Sequence, residues 1–369
     1  MKPPNLRRSA LVAGAAVWLL FFSVPAALAE GPETAAFPSL ISALRIEGPM
    51  DFCGESVPLE DPEVRENLEK ELLLSVWDRA QIILWIKRAG RYFPYIEEVL
   101  RRNGVPEDLK YVAVVESAMR PHAGSHKGAV GYWQFLSSTA RKYGLTVNRY
   151  IDERRNIYTA TEAAVRYFQE LYATFGSWTL SAAAYNMGER RLEAEIKEQR
   201  VHNFYRLYLY EETQRYIFKI LAAKQILADP ARFGFHLSAE DLYAPRPVET
   251  VDLRLSRTVG VRSLARAARS DYKKIKDLNP QLRGRYLPKG RYTLLVPPDA
   301  ARGFASRLQA VLQQEKNDGS QRVYVVRKGD NLSSIASRFN VSLPSLLRWN
   351  RLNASNPIHP GQRLVIYAD

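Results

Sequence analysis

The strongest constraint on the fold is a repeat in the C-terminal third of the chain. Residues 251–296 and 322–367 match each other at an ungapped offset of 71 residues. The matched positions are Leu264 with Ile335, Ala265 with Ala336, Ile275 with Leu346, Asn279 with Asn350, Leu287 with Ile358, and Gly290 with Gly361. A repeated unit of ~45 residues indicates a duplicated small module. The C-terminal third is therefore predicted to consist of two copies of one fold.

The second copy shows the pattern of the module most clearly. Its apolar runs predict a strand at Tyr324–Val326 and a closing strand at Arg363–Tyr367. Between them, apolar stripes that begin at Leu332 and Leu343 predict two short helices. Each copy is therefore predicted to be strand–helix–helix–strand.

The part before the repeats has a different periodicity. Asp61 followed by Pro62 predicts a helix start, and apolar residues then recur at helical spacing from Leu68 onward. Gly176 is placed to end a later helix. No comparable strand alternation occurs between residues 60 and 228. The fold class is therefore predicted as α+β and multidomain, with a mainly α domain before two βααβ modules.

The N-terminus has the three parts of a secretory signal peptide. Basic residues are followed by an apolar stretch at Leu11–Val24, and Ala27-Leu28-Ala29 offers small residues for cleavage after Ala29. An uncleaved anchor remains the alternative, although the stretch is shorter than the ~20 residues of a membrane span. Cys53, the only cysteine in the chain, lies far from this cleavage point, so the chain is not predicted to be a lipoprotein.

The charge of the chain indicates its partners. The formal net charge is +14, and cleavage after Ala29 removes three basic residues and leaves +11. Export makes nucleic acid an improbable partner, so the prediction is an anionic wall polymer, with peripheral contact to a membrane or to other wall enzymes left open. A single cysteine excludes a disulfide framework and a cysteine-rich metal site within one chain. We predict no metal and no cofactor. The export signal predicts a location in the periplasm or cell envelope.

One carboxylate interrupts an apolar stripe. The predicted helix Glu107–Arg120 carries Leu109, Val112 and Ala113 on one face, and the next position of that face is Glu116. Burial of a carboxylate raises its pKa, and a carboxyl that keeps its proton near neutral pH can act as a general acid. Alternatively, Glu116 reaches solvent at the helix end or pairs with Arg120. Periodicity alone does not decide between these interpretations.

Four motifs in order resemble the catalytic domain of soluble lytic transglycosylases. They are Glu116-Ser117, the loop Gly128–Phe135, the segment Ala183–Gly188, and Glu212–Tyr216. The resemblance covers about residues 95–228. With the helices before it and the modules after it, the chain looks most like the membrane-bound lytic murein transglycosylase D type.

The resemblance implies a lysozyme-like fold and particular site residues. Glu116 would be the single catalytic carboxylate. The residues implied to contact substrate are Ser117, Trp133, Gln134, Tyr185, Asn186 and Tyr216. Trp133 and Tyr185 have an alternative role as core aromatics, and Asn186 as a helix-end residue. Asp152 and Glu153, which precede the next helix, are expected to be capping and surface residues.

The repeats resemble LysM modules, which bind glycans that contain N-acetylglucosamine. Glycan contacts are expected in the second copy, at Gly329, Asp330, Asn331, Leu332 and Ile358. The first copy carries Thr258-Val259 in place of the Gly-Asp turn and is therefore a degenerate module.

These inferences give a set of segments and an activity. The segments are a signal peptide at 1–29, an extended arm at 30–60, a helical region at 61–94 that packs on the catalytic domain, a catalytic domain at 95–230, a degenerate module at 249–298, a helical and flexible linker at 299–320, and a LysM module at 321–368. The expected activity is non-hydrolytic cleavage of peptidoglycan glycan strands to 1,6-anhydro ends. A hydrolytic muramidase and a non-catalytic wall-binding protein are the alternatives, and the oligomeric state is left open.

Overall fold

A computed structural model describes residues 45–317, 321–353 and 357–367. The predicted signal peptide lies outside these described residues. All the described residues belong to one compact unit, residues 38–369. None of the helices in this part of the chain combines the length and apolar composition that a membrane span requires.

The part of the chain before the repeats is almost entirely helical, as predicted. A short hairpin comes first, followed by helices that share one apolar core. The elements are β1 (Asp51–Phe52), β2 (Glu55–Ser56), α1 (Pro62–Trp77), α2 (Arg79–Arg102), α3 (Lys110–Ser117), α4 (Ser137–Lys142), α5 (Ile157–Phe175), α6 (Trp178–Met187), α7 (Glu189–Gln199) and α8 (Glu211–Ala228).

The β1–β2 hairpin replaces part of the predicted extended arm. Phe52 is fully buried in the helical core. The Glu55 carboxylate accepts hydrogen bonds from the backbone N–H of Trp178 at 2.5 Å and of Thr179 at 3.0 Å, so it caps α6. A carboxylate satisfies the free N–H groups and the positive end of the dipole at a helix N-terminus. The expectation of a simple extended arm is therefore wrong for residues 51–56.

The predicted boundary at residues 94–95 falls inside a helix. α1 starts as predicted, because the Asp61 side chain accepts from the Glu63 N–H. α2 then runs through residue 94 without interruption. Glu71 of α1 is buried and pairs with Arg215 of α8 at 2.5 Å. The first two helices are therefore part of the catalytic domain's core.

Both repeats have the predicted strand–helix–helix–strand order. In each, the first and last strands pair antiparallel. The first contains β3 (Glu249–Leu255), β4 (Val259–Gly260), α9 (Val261–Ala267), α10 (Tyr272–Leu278), β5 (Tyr286–Leu287) and β6 (Gly290–Val296), and the second contains β7 (Gln321–Val325), α12 (Leu332–Arg338), α13 (Leu343–Asn350) and β8 (Arg363–Tyr367).

A shared asparagine joins the second helix of each module to the closing strand. Asn279 donates to Leu295 O at 2.7 Å and accepts from Leu295 N at 2.8 Å. Asn350 forms the same pair of bonds with Val365, at 2.8 and 2.6 Å. Because residues 295 and 365 are 70 apart, the offset of 71 does not hold in the last strand. The ungapped match is therefore wrong there by one residue.

Helix α11 (Phe304–Asn317) belongs to the first module and is not a linker. Phe304 and Leu308 are buried in the apolar cluster of that module. Arg307 Nε donates to Ala267 O at 2.7 Å, which fastens α11 to α9. The first module therefore extends past residue 298, and the isolated segment 249–298 lacks part of its core.

Candidate active site

Helix α3 presents Glu116 at its C-terminal end. Leu109, Val112 and Ala113 are fully buried, and Glu116 follows them on the same face while staying partly exposed. The helix ends at Ser117, earlier than predicted. Ala118 and Met119 both adopt left-handed backbone angles, with φ of 50° and 54°. Two successive non-glycine residues in this region are energetically costly, and such strain is common at functional sites.

The Glu116 carboxyl titrates near neutral pH. Burial raises its pKa to about 7, and the negative charge of Glu212 acts in the same direction. Tyr216 of α8 donates a hydrogen bond of 2.6 Å to Glu116 Oε1, which partly offsets this rise because it favours the charged form. The alternative pairing with Arg120 does not occur, since Arg120 Nε donates to Ser117 O instead, at 3.1 Å.

Ser117 connects helix α3 to the loop Gly128–Phe135. Its side chain is 3% exposed. Its Oγ lies 2.7 Å from Tyr132 O and 3.2 Å from Ala113 O. The predicted substrate contact through this hydroxyl is therefore contradicted. Ser117 positions the loop next to Glu116.

The loop Gly128–Phe135 carries one predicted residue at the surface and one in the core. Gln134 is partly exposed, has a φ of 47°, and donates through Nε2 to Gly131 O at 2.8 Å. Trp133 is fully buried, and its Nε1 donates to Thr161 Oγ1 at 3.0 Å. A ring without exposed surface cannot stack on a sugar, so the prediction of a glycan contact by the Trp133 ring is wrong.

Two residues of α6, Tyr185 and Asn186, connect this helix to the loop and to α8. Tyr185 Oη donates to Trp133 O at 2.6 Å, and its ring stacks on Phe168 with centroids 4.8 Å apart. Tyr185 therefore packs in the core through its ring and holds the loop Gly128–Phe135 through its hydroxyl. Asn186 Oδ1 accepts from Thr213 Oγ1 at 2.9 Å, which ties α6 to the first turn of α8.

A buried ion pair that sequence reasoning missed fixes both ends of the loop. Arg154 forms two hydrogen bonds to Asp152, of 2.8 and 2.9 Å. Its Nη1 donates to Gly128 O at 3.1 Å and to Phe135 O at 2.9 Å. Asp152 is 1% exposed, so the expectation that it is a surface residue is wrong. An aspartate and an arginine two residues apart follow no helical period, so nothing in the local pattern indicated the pair.

Gly131 is required where the loop passes close to the backbone of Arg154. Its φ is 88°, and a Cβ at this position would lie 1.8 Å from Arg154 O. Only a residue without a side chain allows the two backbones to approach so closely.

Two of the five residues predicted to contact glycan, Asp330 and Leu332, have structural roles inside the second module. The Asp330 carboxylate accepts from Tyr324 Oη at 2.5 Å and from the Arg327 N–H at 2.8 Å. Leu332 is buried in the core of the module. The expectation that these two side chains face glycan is therefore contradicted, because both are used inside the module.

The other three predicted positions remain accessible. Gly329 and Asn331 are exposed, and Ile358 is partly exposed. Asn331 also caps α12, since its Oδ1 accepts from Ser334 N at 2.7 Å. Gly329, Asn331 and Ile358 thus each keep accessible surface in the second module.

Comparison with known proteins identifies the family of the chain. The Transglycosylase SLT domain family matches residues 94–207, and the LysM domain family matches residues 324–366. Membrane-bound lytic murein transglycosylase D of Escherichia coli strain K12 is 34% identical over 334 residues, which cover 86% of this chain and 72% of that protein. The chain belongs to the membrane-bound lytic murein transglycosylase D family. The family match in residues 94–207 includes Glu116 and the loop that Arg154 holds.

Two further comparisons are more distant. Peptidoglycan transglycosylase gp16 of Escherichia phage T7 is 42% identical over 93 residues, which cover 24% of this chain and 7% of that protein. The structure of an inactive mutant of lytic transglycosylase Slt from Pseudomonas aeruginosa is 19% identical, with a TM-score of 0.30, and the alignment covers 43% of this chain and 26% of that one.

The substitution Tyr216→Phe tests the electrostatics of the site. It removes the hydrogen bond that favours the charged carboxylate, so the pKa of Glu116 should rise above its present value of about 7. The measurement is an NMR titration of the Glu116 carboxyl carbon. Tyr185→Phe is the control, because its hydroxyl contacts Trp133 O, and it should leave this pKa nearly unchanged. An unchanged pKa of Glu116 in Tyr216→Phe would contradict the conclusion that the Tyr216 hydrogen bond lowers this pKa.

The substitutions Gly131→Ala and Gly128→Ala separate a steric clash from backbone strain. Both glycines have positive φ, but only Gly131 faces a backbone atom. Urea unfolding should show a loss of about 1 kcal/mol for Gly128→Ala and of about 3 kcal/mol or more for Gly131→Ala. Equal losses would mean that the contact with Arg154 does not constrain the loop.

Proposed function

We propose that this protein cleaves the β-1,4 bond between N-acetylmuramic acid and N-acetylglucosamine in peptidoglycan without consuming water. The observation that carries the proposal is one partly buried carboxyl, Glu116, whose pKa is about 7 and whose orientation is fixed by Tyr216. Such a group can donate a proton at neutral pH and take one back as a base.

The other acids of the region have structural partners. Glu107 pairs with Arg101 at 2.9 Å, and Asp108 with Lys224 at 2.8 Å. Asp152 forms a buried ion pair with Arg154. An ordinary glycosidase needs a second carboxylate as nucleophile or base. The partners of these acids therefore favour a route that uses one carboxylate twice.

Another acid near the site is Glu212, in the first turn of α8. Its side chain is 68% exposed and pairs with Lys127 at 3.3 Å. Its charge raises the pKa of Glu116, which supports the protonated form of the catalytic group. In our proposal Glu212 thus acts on Glu116 electrostatically and takes no proton from substrate.

The chemistry follows from these roles. Glu116 protonates the glycosidic oxygen, and the bond from that oxygen to C1 of the muramic sugar breaks. The N-acetyl group of the substrate or nearby dipoles stabilise the cation-like state. The Glu116 carboxylate then removes the proton from the C6 hydroxyl of the same sugar, whose oxygen bonds to C1. The products are a 1,6-anhydro end and a free N-acetylglucosamine end, and the enzyme recovers its proton.

The second module would tether the enzyme to its polymer. A linked weak glycan site raises the local concentration of substrate at the catalytic groove. The name of the E. coli relative and the basic charge are consistent with a location in the cell envelope. We further propose that residues 1–29 direct export and are removed after Ala29.

The substitution Glu116→Gln tests the activity. On purified peptidoglycan, the parent should release products with anhydro ends, lighter by one water than hydrolytic ends, and the variant should release none above background. Mass spectrometry distinguishes the products. Reducing ends from the parent would indicate a hydrolytic muramidase, and undiminished cleavage by the variant would remove Glu116 from the mechanism.

The same variant tests the proton linkage. The pKa of Glu116 is raised from 4.5 to about 7 in the folded state, so the parent loses stability as pH rises through this interval. Glutamine can still accept from Tyr216 and does not titrate. Between about pH 4 and pH 8, the stability difference should shift in favour of the variant by up to about 3 kcal/mol. Unfolding curves that keep a constant difference would show that Glu116 does not titrate in this range.

The substitution Ile358→Ala tests the tether. Truncating this partly exposed side chain should lower retention on purified wall several-fold while cleavage of soluble glycan fragments stays at the parent rate. Val325→Ala is the matched control, because Val325 is 48% exposed on β7 and is not one of the predicted glycan contacts. If both variants are retained on the wall equally, the Ile358 side chain does not contribute to glycan binding.

A further inference from the structure

The two repeats differ at the positions where the second is expected to bind glycan. At the offset of 71, Asp330 and Ile358 of the second copy correspond to Val259 and Leu287 of the first. In the first copy these two residues face each other in the β4–β5 ladder. Val259 is 2% exposed and Leu287 is 1% exposed. The two loops of the first module are therefore joined to each other and leave no accessible groove between them.

The second copy has no corresponding strand pairing among its described residues. Among its described residues, no strand pairing joins the turn at Gly329–Asn331 to the segment at Ile358. Asn331 is exposed and Ile358 is partly exposed. The position of Ile358 is thus partly exposed in the second copy, whereas the equivalent Leu287 is buried in the first.

The first module instead contacts the catalytic domain. Asp152 N donates to Gln281 O at 2.9 Å, and Arg283 N donates to Tyr150 O at 2.8 Å. Ile151 and Leu282 form an antiparallel β-bridge between these bonds. Ile151 is 5% exposed and lies in the apolar cluster of the module, although it belongs to the catalytic domain. A side chain from one domain therefore completes the core of the other.

This contact leads directly to the active-site loop. The backbone N–H of Asp152 is held by the module, and its carboxylate is held by Arg154. Arg154 in turn binds the carbonyl oxygens of Gly128 and Phe135 at the two ends of the loop. A backbone contact, a buried ion pair and the loop thus form one connected series.

We infer that the first module has exchanged glycan binding for a positioning role, in which it holds the catalytic loop through Ile151 and Asp152. The inference rests on the proposed function for its effect on turnover, but the contact and its rigidity can be measured independently of activity. Ile151 is a positioning residue, since it acts through Asp152 and Arg154.

The variant Ile151→Ala in the full chain tests the positioning role. With soluble glycan fragments as substrate, kcat should fall about tenfold with little change in KM, because a displaced loop weakens alignment rather than adhesion. The pH dependence should be unchanged, because the Glu116–Tyr216 bond is untouched. Hydrogen exchange should accelerate at the amides of Asp152, Arg283 and the loop. Ile151→Val should stay within about twofold of the parent in both readouts.

A pair of surface variants provides a second measurement if Ile151→Ala unfolds. Asn148 is exposed, and its Oδ1 accepts from the N–H groups of Tyr150 and Ile151 at 2.8 and 2.9 Å. Asn148→Ala removes the acceptor that shapes the docking segment and should lower kcat about threefold. Asn148→Asp retains an acceptor and should recover most of the parent rate.

Several results would overturn the inference. Full turnover in Ile151→Ala or Asn148→Ala, with faster exchange at Asp152, would show that the loop does not depend on the contact. Reduced turnover with parent-like exchange at Asp152 and Arg283 would place the effect elsewhere. If the parent itself cleaves no glycan, the proposed function fails, and loop exchange alone then decides the positioning role.

Glycan binding is tested with a soluble N-acetylglucosamine oligomer. NMR shifts in the full-length Glu116→Gln protein should change near Asn331 and Ile358 and stay constant near Val259 and Leu287. Shifts near Val259 and Leu287 at the same oligomer concentration would show that the first module binds sugar after all.

Discussion

The buried pair between Asp152 and Arg154 is the interaction on which the active-site region depends. Removing two charges from water is expensive, and attraction between them repays this cost only when the remaining donors and acceptors are also satisfied. Here Arg154 meets that condition by binding the carbonyl oxygens of Gly128 and Phe135. The pair therefore fixes a loop whose own backbone is strained at Gln134. The absence of a side chain at Gly131 lets the loop approach the backbone of Arg154.

The pKa of the Glu116 carboxyl depends on two opposing influences that come from different helices. Burial at the end of α3 raises the pKa of Glu116, and the hydroxyl of Tyr216 on α8 limits that rise. The pKa of Tyr216 is itself well above its ordinary value because of burial and the adjacent carboxyl, so it remains a hydrogen-bond donor. The packing of α8 against the helical core therefore places the Tyr216 hydroxyl where it orients the Glu116 carboxyl and limits the rise of its pKa.

Sequence patterns predicted the elements better than the roles of individual side chains. The start of α1 and the βααβ order of both modules followed from caps and from apolar spacing, which act over a few residues. The role of Trp133 did not, because a buried and an exposed aromatic look the same in a sequence. Ser117 likewise stood beside the catalytic residue in the motif, but its hydroxyl is used to bind Tyr132 O. The one-residue shift in the closing strand was not visible either, because only the bonds of Asn279 and Asn350 show which strand residues are equivalent.

The sequence by itself determined the helical and modular elements, the position of Glu116 on an apolar face, and the family of the chain. These properties depend on local periodicity and on ordered motifs, which are present in one dimension. The tertiary structure decided that Asp152 is buried, that α11 belongs to the first module, and that the first module is closed and attached to the catalytic domain. Those properties arise from contacts between segments far apart in the chain, such as Ile151 with Leu282. No local pattern encodes which distant surface a residue will meet.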